Sequence, residues 1–195
     1  MRSFEGHKKQ ELRRAALERR ESLCRSRVRS WGELIQDRVL RHPRYRSSKA
    51  IALYSPIGNE VPTQRIRDHA LAGGRKVLYP KIGSGRARLV MIGSDTDLAP
   101  GQYGILEPQG VSGLSEDWEH LLVFVPAVLV DKTGNRIGRG GGWYDRTLAT
   151  LDERATFVAL VYEFQLIEEV PTEKWDLPVD FIITEERVLQ CGAKR

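Results

Sequence analysis

The ten-residue apolar run LLVFVPAVLV, residues 121–130, is the feature that most constrains how this chain can fold. Its first six residues have the length and the uninterrupted apolar character of a central strand in a parallel sheet. The run is too short to span a bilayer, and Pro126 interrupts it. We therefore interpret it as the core strand of a globular domain.

Further strand candidates alternate with helical patterns along the chain. The predicted strands cover residues 50–56, 76–80, 88–92, 121–126, 156–162 and 180–184. The predicted helices cover residues 7–24, 27–41, 63–71 and 142–151, with Thr63 as a candidate N-cap. Alternation of this kind predicts a single α/β sandwich domain with a mainly parallel sheet.

A loop rich in glycine and charge, DKTGNRIGRGGGWYDR at residues 131–146, follows the apolar run. In α/β folds, ligands bind where strands end and loops lead into helices. Glycines let backbone N–H groups approach a ligand closely, and the start of the next helix favours an anion. Arg136, Arg139 and Arg146 add charge for phosphate oxygens. The loop matches neither GxxxxGK[ST] nor GxGxxG, so a structural turn stays open beside a polyphosphate site.

Carboxylates near this loop are candidates for a metal site. Asp145 falls in the first turn of the predicted helix, and Mg²⁺ prefers one or two carboxylates together with phosphate oxygens. Such a residue also interacts favourably with a helix N-terminus, and this alternative stays open. Asp176, Glu60 and Gln165 lie in loops beside predicted strands, where they equally fit ordinary surface positions.

Residues 1–46 are strongly basic, with fourteen Lys and Arg against six Asp and Glu, whereas the remainder has a balance of −3. A basic arm of this kind is typical of nucleic-acid binding, but it also suits a bound nucleotide or a solvated helix face. Lys9 and Arg13 are four residues apart on a predicted helix and so share a face. Arg20 and Arg25 lie outside that pair, and we expect changes there to weaken the binding of a nucleotide much less.

Several classes of protein are disfavoured by what the sequence lacks. Cys24 and Cys191 lie far apart with no CxxC or Cys/His cluster, which disfavours a zinc site and fits a reducing cytoplasm. No apolar segment follows the charged start, so we expect no signal peptide. No RNP-like string points to RNA, and no Ser/His/Asp or Cys/His set points to a protein nucleophile.

Five blocks of the sequence, in order, resemble the 5-formyltetrahydrofolate cyclo-ligase family, also called 5,10-methenyltetrahydrofolate synthetase. The blocks are KQELR (9–13), ALYSPIGNEVPT (52–63), YGILEP (103–108), VPAVLVDKTGNRIGRGGGWYDR (125–146) and VYEFQLIEEVPTEKWDLPVDFIITE (161–185). The long fourth block, with the others in register, makes the resemblance specific. It implies one domain over residues 1–195, with the three-layer α/β/α fold of ribose-5-phosphate isomerase and CoA-transferase domains.

The resemblance also implies a reaction. ATP and 5-formyltetrahydrofolate would give 5,10-methenyltetrahydrofolate, ADP and phosphate in the presence of Mg²⁺. The formyl oxygen would attack the γ-phosphate, and N10 would then displace phosphate. Phosphoryl transfer requires mainly positioning and charge neutralisation, which suits a glycine loop, cations and a metal. The expected partners are ATP and a reduced folate, with no nucleic acid and no membrane, and we expect a cytoplasmic monomer.

Individual roles follow from the same resemblance. Catalytic residues are expected to be Arg136, Arg139 and Tyr144. ATP-binding residues are expected to be Lys9, Arg13, Arg136, Gly138, Arg139, Gly140, Gly141, Gly142, Trp143, Tyr144 and Asp145. Folate contacts are expected at Ser55, Glu60, Trp143 and Tyr144, and Mg²⁺ ligands at Asp145 and Asp176.

The chain departs from the family pattern at four positions. Ala127 stands where glycine is usual, Val130 where Phe is frequent, Trp143 where Tyr is frequent, and Trp175 where His is frequent. These changes leave open a second function, in which the ATP site is kept but another small molecule is the substrate.

Overall fold

The computed structural model describes residues 4–82, 87–101, 104–109, 120–140, 142–151, 155–173 and 175–192. Its helices are α1 (Phe4–Glu21), α2 (Arg25–Arg41), α3 (Pro43–Ser47), α4 (Gln64–Ala72) and α5 (Trp143–Leu148). Its strands are β1 (Ala50–Ala52), β2 (Lys76–Ile82), β3 (Ala87–Ile92), β4 (Leu98–Pro100), β5 (Leu106–Pro108), β6 (Leu121–Pro126), β7 (Leu129–Asp131), β8 (Arg136–Ile137), β9 (Thr156–Leu160), β10 (Leu166–Ile167), β11 (Phe181–Ile183) and β12 (Val188–Gln190). Within these ranges no helix is both long and apolar enough to cross a membrane.

A seven-stranded sheet in the order β12-β11-β9-β6-β1-β2-β3 forms the centre of the fold. Neighbouring strands from β11 to β2 pair in parallel, whereas the edge strands β3 and β12 pair antiparallel. The apolar strand β6 lies in the middle, between β1 and β9, and residues 121–125 are buried. The predicted α/β fold with a mainly parallel sheet is thus confirmed.

The six predicted strands all belong to this sheet, but the ends of some predicted elements are wrong. Strand β1 stops at Ala52 rather than at residue 56, because the chain leaves the ladder after Leu53, whose N–H still reaches the Leu78 carbonyl. Helix α5 ends at Leu148 rather than at residue 151. Thr63 occupies the N-cap position of α4 without capping it, because its hydroxyl donates to the buried carbonyl of Tyr54 at 3.1 Å.

The two faces of the sheet are covered in different ways. On one face, α2, α3 and α4 contribute Ile35, Tyr45 and Ile66 to a cluster that contains Ile51 and Phe124 of the sheet. On the other face, a second cluster packs alternate strand residues against the short helix α5 and against connecting segments. Its members include Val123, Phe157, Ile182, Leu148, Val130 and Val179. Helices therefore flank both faces, with most of the helical cover on one.

Helix α1 docks beside a second, three-stranded sheet in the order β10-β7-β8. Ala16 of α1 is buried in a cluster with Leu129 and Ile137, and Leu12 packs against the same cluster. Leu12 and Ala16 therefore anchor the basic helix to the body. This docking also sets the orientation of the neighbouring face of α1, which carries Lys9 and Arg13.

Asp131 holds the tight turn between β7 and β8. Its buried carboxylate accepts hydrogen bonds from the backbone N–H and hydroxyl of Thr133, from the backbone and side-chain N–H groups of Asn135, and from the N–H of Val170. Burial by itself raises the pKa of Asp131, but these hydrogen bonds together lower it below its ordinary value. The first charged residue of the glycine-rich segment is therefore structural.

Gly134 in the same turn lies against the C-terminal segment. Its φ is +95°, and an added Cβ would lie 2.3 Å from the carbonyl oxygen of Val179. The N–H of Val179 in turn donates to the Gly134 carbonyl at 2.9 Å. Only glycine fits this position, and the contact joins the β7–β8 turn to the segment that follows Asp176.

Candidate active site

An open cleft of about 1130 Å³ lies at the carboxyl ends of β1 and β6. Its walls come from the loop after β1, the residues after β6, the described residues 138–140 and 142 of the glycine loop, helix α5 and one face of α1. A C-terminal wall is formed by Glu173, Trp175 and Asp176. The predicted site residues that line it are Lys9, Arg13, Ser55, Glu60, Arg136, Gly138, Arg139, Gly140, Gly142, Tyr144, Asp145 and Asp176. Gly141 and the side chain of Trp143 lie outside the described part of the chain. Residues far apart in sequence thus meet in one cleft.

Arg13 connects helix α1 to the glycine loop. Its Nε donates to the carbonyl of Gly138 at 2.8 Å. Its guanidinium also lies beside Gly140, where an added Cβ would sit 3.7 Å from the Arg13 Cζ. Because the φ of Gly140 is +106°, a side chain there would strain the backbone as well. The loop is thereby held against a cation.

Lys9, one turn before Arg13, pairs with the C-terminal wall of the cleft. Its ammonium lies 2.5 Å from Oδ2 of Asp176 and 3.4 Å from Oε2 of Glu173. Asp176 also accepts the backbone N–H of Glu173 at 2.9 Å. The residue expected to bind phosphate and a residue expected to bind Mg²⁺ are therefore partners of each other in this structure.

Arg136 is part of strand β8 and is almost fully buried, rather than free on a loop. Its Nη2 lies 2.7 Å from Oδ1 of Asp145, and its Nη1 donates to the carbonyl of Leu177. This pair fixes the first turn of α5 relative to β8. Asp145 keeps a partly exposed side chain that faces the cleft. The helix-terminus interpretation of Asp145 therefore misses its main contact, which is an ion pair.

Glu60 is buried in the opposite wall and bridges two arginines. Its Oε1 accepts from Nε of Arg139 at 3.0 Å and from Nη2 of Arg20 at 3.3 Å. Its Oε2 accepts the N–H of Ile57 at 2.9 Å, and Arg139 also donates to the Ile57 carbonyl at 3.2 Å. Glu60, the residue predicted to contact folate, is thus already hydrogen-bonded to other protein groups in this structure.

Arg20 was expected to be a cation with no special role beside Lys9 and Arg13. Because it is buried, it is not suitable for comparison with them. Its side chain is only 2% exposed and lies behind Glu60. Its Nη1 donates to the carbonyl of Ala127 at 3.3 Å. The sequence contained a signal, because Arg20 follows Arg13 by two helical turns and so lies on the same face of α1.

Gln165 supports the same wall from within the protein. Its side-chain amide donates to the carbonyls of Ala127 and Val128 at 3.2 and 2.8 Å, and its oxygen accepts the N–H of Tyr162 at 3.0 Å. The interpretation of Gln165 as a surface turn residue is therefore wrong. Its amide satisfies carbonyls that would otherwise be buried without donors.

Two tyrosines line the inner part of the cleft. Burial raises the pKa of Tyr144 well above its ordinary value, and the nearby charge of Glu60 adds to the effect. Burial likewise raises the pKa of Tyr54, whose hydroxyl donates to the Val61 carbonyl at 2.9 Å. Both phenols are neutral at physiological pH. Tyr144 can therefore donate a hydrogen bond to a ligand but does not act as a phenolate.

Ser55 lines the cleft, but its hydroxyl is already engaged. It donates to the Leu106 carbonyl at 2.5 Å and so holds the hairpin of β4 and β5 against the loop after β1. Ile105, beside this contact, forms an apolar part of the wall. Trp175 lies at the mouth with 66% of its surface exposed. Neither Ile105 nor Trp175 was predicted as a ligand contact, because an isolated apolar residue carries no signal of its own.

The carboxylates fit a magnesium ion that arrives with a nucleotide. Asp145 and Asp176 line the same cleft, and Mg²⁺ prefers one or two carboxylates, phosphate oxygens and water. Among the described residues, no three His, Cys, Asp or Glu side chains converge on a metal cage. The donor set therefore suits a metal whose remaining ligands come from phosphate and water.

Comparison with known proteins identifies the family of this chain. The model of the 5-formyltetrahydrofolate cyclo-ligase family matches residues 5–185. The 5-formyltetrahydrofolate cyclo-ligase of Haemophilus influenzae is 34% identical over 139 residues, covering 69% of this chain and 74% of that protein. The protein of the same name from Escherichia coli is 26% identical over 176 residues, covering 88% and 97%. The solution structure of Aquifex aeolicus 5,10-methenyltetrahydrofolate synthetase superposes with a TM-score of 0.84 at 31% identity, covering 96% and 94% of the two chains. The chain belongs to the 5-formyltetrahydrofolate cyclo-ligase family.

Proposed function

We propose that this chain catalyses the ATP-dependent cyclisation of 5-formyltetrahydrofolate to 5,10-methenyltetrahydrofolate, with release of ADP and phosphate. The observation that carries the proposal is the convergence of residues from separate sequence blocks on one cleft. Membership of the cyclo-ligase family and the names of the matched relatives support the same reaction.

The phosphates of ATP are assigned to the end of the cleft formed by α1 and the glycine loop. Lys9 and Arg13 present two cations from one helix face, and Gly138 and Gly140 keep the loop backbone open to a ligand. A docked helix holds these charges in place, whereas a disordered basic tail would lose entropy on binding. The docking of α1 therefore favours a nucleotide site over a nucleic-acid arm.

The folate is assigned to the opposite wall, around Glu60, Ser55, Ile105 and Tyr144. A buried carboxylate, a neutral phenol and an apolar side chain together suit a flat ring system that carries hydrogen-bond donors. Because the Ser55 hydroxyl is engaged by Leu106, we assign Ser55 to shaping the wall. Gly141 and Trp143 remain predicted ligand contacts.

The chain has only to align the two substrates and neutralise charge. The formyl oxygen of the folate attacks the γ-phosphorus, the bond to the β,γ-bridging oxygen breaks, and ADP leaves. N10 then attacks the former formyl carbon and forms the new C–N bond. The bond from that carbon to the phosphorylated oxygen breaks, and the N10 proton is lost and taken up by the departing phosphate. Arg139 and Tyr144 are placed to stabilise the negative charge on the transferred group, and Arg136 holds the first turn of α5 through Asp145.

Magnesium is assigned to Asp145 and Asp176. When bound, Mg²⁺ would neutralise phosphate charge during transfer. Each of these carboxylates has a cation partner in the structure, Arg136 for Asp145 and Lys9 for Asp176. These contacts hold the two aspartates in place until the nucleotide brings the metal.

Three finer assignments remain predictions. The likeness to ribose-5-phosphate isomerase and CoA-transferase domains rests on the resemblance of sequence blocks. A monomeric state is to be tested by light scattering. A cytoplasmic location is supported by two free thiols, the exposed Cys24 and the buried Cys191.

One assay tests the proposed function. The protein is mixed with Mg·ATP and 5-formyltetrahydrofolate, and the near-ultraviolet absorbance of the methenyl product is followed, with ATP omitted in the control. Product that forms only with ATP supports the proposal. Tight ATP binding without product would favour the second candidate, in which the altered position Trp175 at the mouth selects another small molecule.

A further inference from the structure

The two cations that contact Glu60 differ in how far their side chains are exposed to solvent. Arg20 belongs to the docked helix α1, and its side chain is 2% exposed. Arg139 belongs to the glycine loop, and its side chain is 42% exposed. Both reach the same oxygen of Glu60, at 3.3 and 3.0 Å. Of the two, only Arg139 lines the cleft among the described residues.

A buried carboxylate needs a lasting counter-charge. Burial of an unpaired carboxylate is costly, and removing one partner of a buried ion pair is strongly destabilising. If Arg139 were the only cation beside Glu60, its movement toward a phosphate would leave that carboxylate unpaired. With Arg20 in place, Glu60 keeps one cation and the N–H of Ile57 after Arg139 has left.

Arg20 is itself fixed from a second side. Its Nη1 donates to the carbonyl of Ala127, which also accepts from Gln165. Arg20 therefore joins Glu60 in the loop after β1 to the residues that follow β6, so that two walls of the cleft share one buried cation. Such an arrangement holds Glu60 in a constant position while the loop cation changes partners.

We propose that Arg20 is a positioning residue, which retains Glu60 so that Arg139 can transfer from Glu60 to the phosphates of ATP. This inference rests on the proposed function, because it assumes that phosphates enter the glycine-loop end of the cleft. In the absence of Arg20, Glu60 would depend on Arg139 alone and would hold it more strongly. Nucleotide binding would then have to break that pair.

The test is a double-mutant cycle on Mg·ATP binding, measured by calorimetry without folate. Arg20→Met removes the charge but keeps an unbranched side chain, and Arg14→Met is the matched control, because Arg14 lies exposed on the same helix. We expect Arg20→Met to weaken Mg·ATP binding about ten- to a hundredfold. Arg14→Met should bind as the wild type does, and Arg20→Lys should recover part of the loss.

The second arm separates positioning from a general structural role. Glu60→Gln removes the charge that would retain Arg139, so the Arg20→Met loss should largely vanish in the Glu60→Gln background. The proposal would be overturned if Arg20→Met weakened Mg·ATP binding as much in the Glu60→Gln background as in the wild type, or if Arg20→Met alone bound Mg·ATP as the wild type does. Thermal unfolding of each variant identifies misfolding, and if Arg20→Met does not fold, the same cycle is run with Arg20→Lys.

The proposed function is decided separately by the cyclisation assay on the wild type. If wild-type protein binds Mg·ATP but makes no methenyl product, the cyclo-ligase assignment fails while the cycle still decides the role of Arg20. If product forms but Arg20→Met weakens Mg·ATP binding equally with and without Glu60→Gln, only the positioning role fails.

Discussion

The ammonium of Lys9 lies 2.5 Å from Oδ2 of Asp176, so that an ion pair joins helix α1 to the C-terminal wall of the cleft. Both side chains are largely shielded from solvent. If Lys9 binds phosphate and Asp176 binds Mg²⁺, the arriving nucleotide separates them and gives each a new partner. Phosphate and metal would then bind cooperatively, because each releases the residue that the other needs.

Asp176→Asn should change the response of ATP binding to magnesium. Without Mg²⁺, the variant should bind ATP more tightly than the wild type, because Lys9 no longer has a charged partner at 2.5 Å. With Mg²⁺, it should bind more weakly, because one metal ligand is lost. Calorimetric titration of ATP with and without Mg²⁺ measures both effects. Glu173→Gln is the control, since Glu173 lies farther from Lys9, at 3.4 Å, and a similar reversal there would contradict the prediction.

Arg13→Ala should weaken ATP binding while folate binding stays unchanged. The loss of a charged hydrogen bond to a phosphate corresponds to about 1.5–3 kcal/mol. The matched control is Arg14→Ala, because Arg14 is exposed on the same helix. A nucleic-acid arm predicts instead that both cations count about equally toward RNA binding and that this binding falls steeply with salt. Parallel titrations with ATP and with RNA distinguish the two outcomes.

Asp145→Asn should keep the fold but raise the concentration of Mg²⁺ needed for turnover. The amide oxygen of Asn can still accept the hydrogen bond that Arg136 donates at 2.7 Å, so the first turn of α5 stays in place. The lost charge weakens metal binding. The measurement is cyclisation rate against Mg²⁺ concentration, with thermal unfolding as the check on the fold. Unchanged magnesium dependence would restrict Asp145 to its ion pair with Arg136.

Asp131→Asn should lower the free energy of unfolding, by about 2–3 kcal/mol at neutral pH. An amide group in place of Oδ2 would face the donors from Asn135 and Val170. Because the folded-state pKa of Asp131 is below its ordinary value of 3.8, its contribution is full above that value and is lost as the pH falls through the lower folded-state pKa. The difference between wild type and variant should therefore shrink only as the pH falls below 3.8.

Chemical denaturation over this pH range measures that difference. The matched control is Asp37→Asn, because Asp37 pairs with Arg65 near the surface and should contribute little. If the difference in unfolding free energy between wild type and Asp131→Asn stayed constant on acidification, it would argue against a charged carboxylate at the centre of the turn.

In a Trp143→Phe background, which removes the other tryptophan predicted to contact the ligands, Trp175→Phe should remove most of any fluorescence change that ATP or folate produces. The indole lies at the mouth of the cleft and is 66% exposed, so a bound ligand would cover it. Trp31 packs against Tyr162, and Trp31→Phe should leave the change intact. If ligand-induced quenching persists in Trp175→Phe, the ligand does not cover this side chain.

The sequence predicted the parts of the site that have local signatures. Spacing showed that Lys9 and Arg13 share a helix face and that the glycine loop follows an apolar strand, whereas the assignment of Lys9 and Arg13 to the ATP site came from the family resemblance. Arg20 could not be assigned in this way, because its partner Glu60 comes from a loop far along the chain. A basic segment gives no indication of which single cation is buried. Burial is decided by tertiary contacts, here with the Ala127 carbonyl and the Glu60 carboxylate.

The ends of elements were likewise decided by contacts between distant residues. The residues of 53–56 have strand-like character, but Ser55 donates to Leu106 and the chain leaves the ladder. In the sequence, Asp131 could not be distinguished from the other charged residues of the glycine-rich segment. In the structure, it accepts five hydrogen bonds at the centre of a turn. Family resemblance located the cleft residues, but it could not show that Lys9 and Asp176 are partners.

The docking of α1 also has a consequence for synthesis on the ribosome. The helix is translated before its packing partners, because its apolar stripe at Leu12 and Ala16 packs on Leu129 and Val170, which are made much later. During elongation the stripe stays uncovered and is a natural target for chaperones. Lys9 likewise has no Asp176 to pair with until that residue has been made. If Lys9 binds phosphate as proposed, a nascent chain lacks a complete phosphate site until almost all of residues 5–185 has been made, and unfinished chains would not turn over ATP.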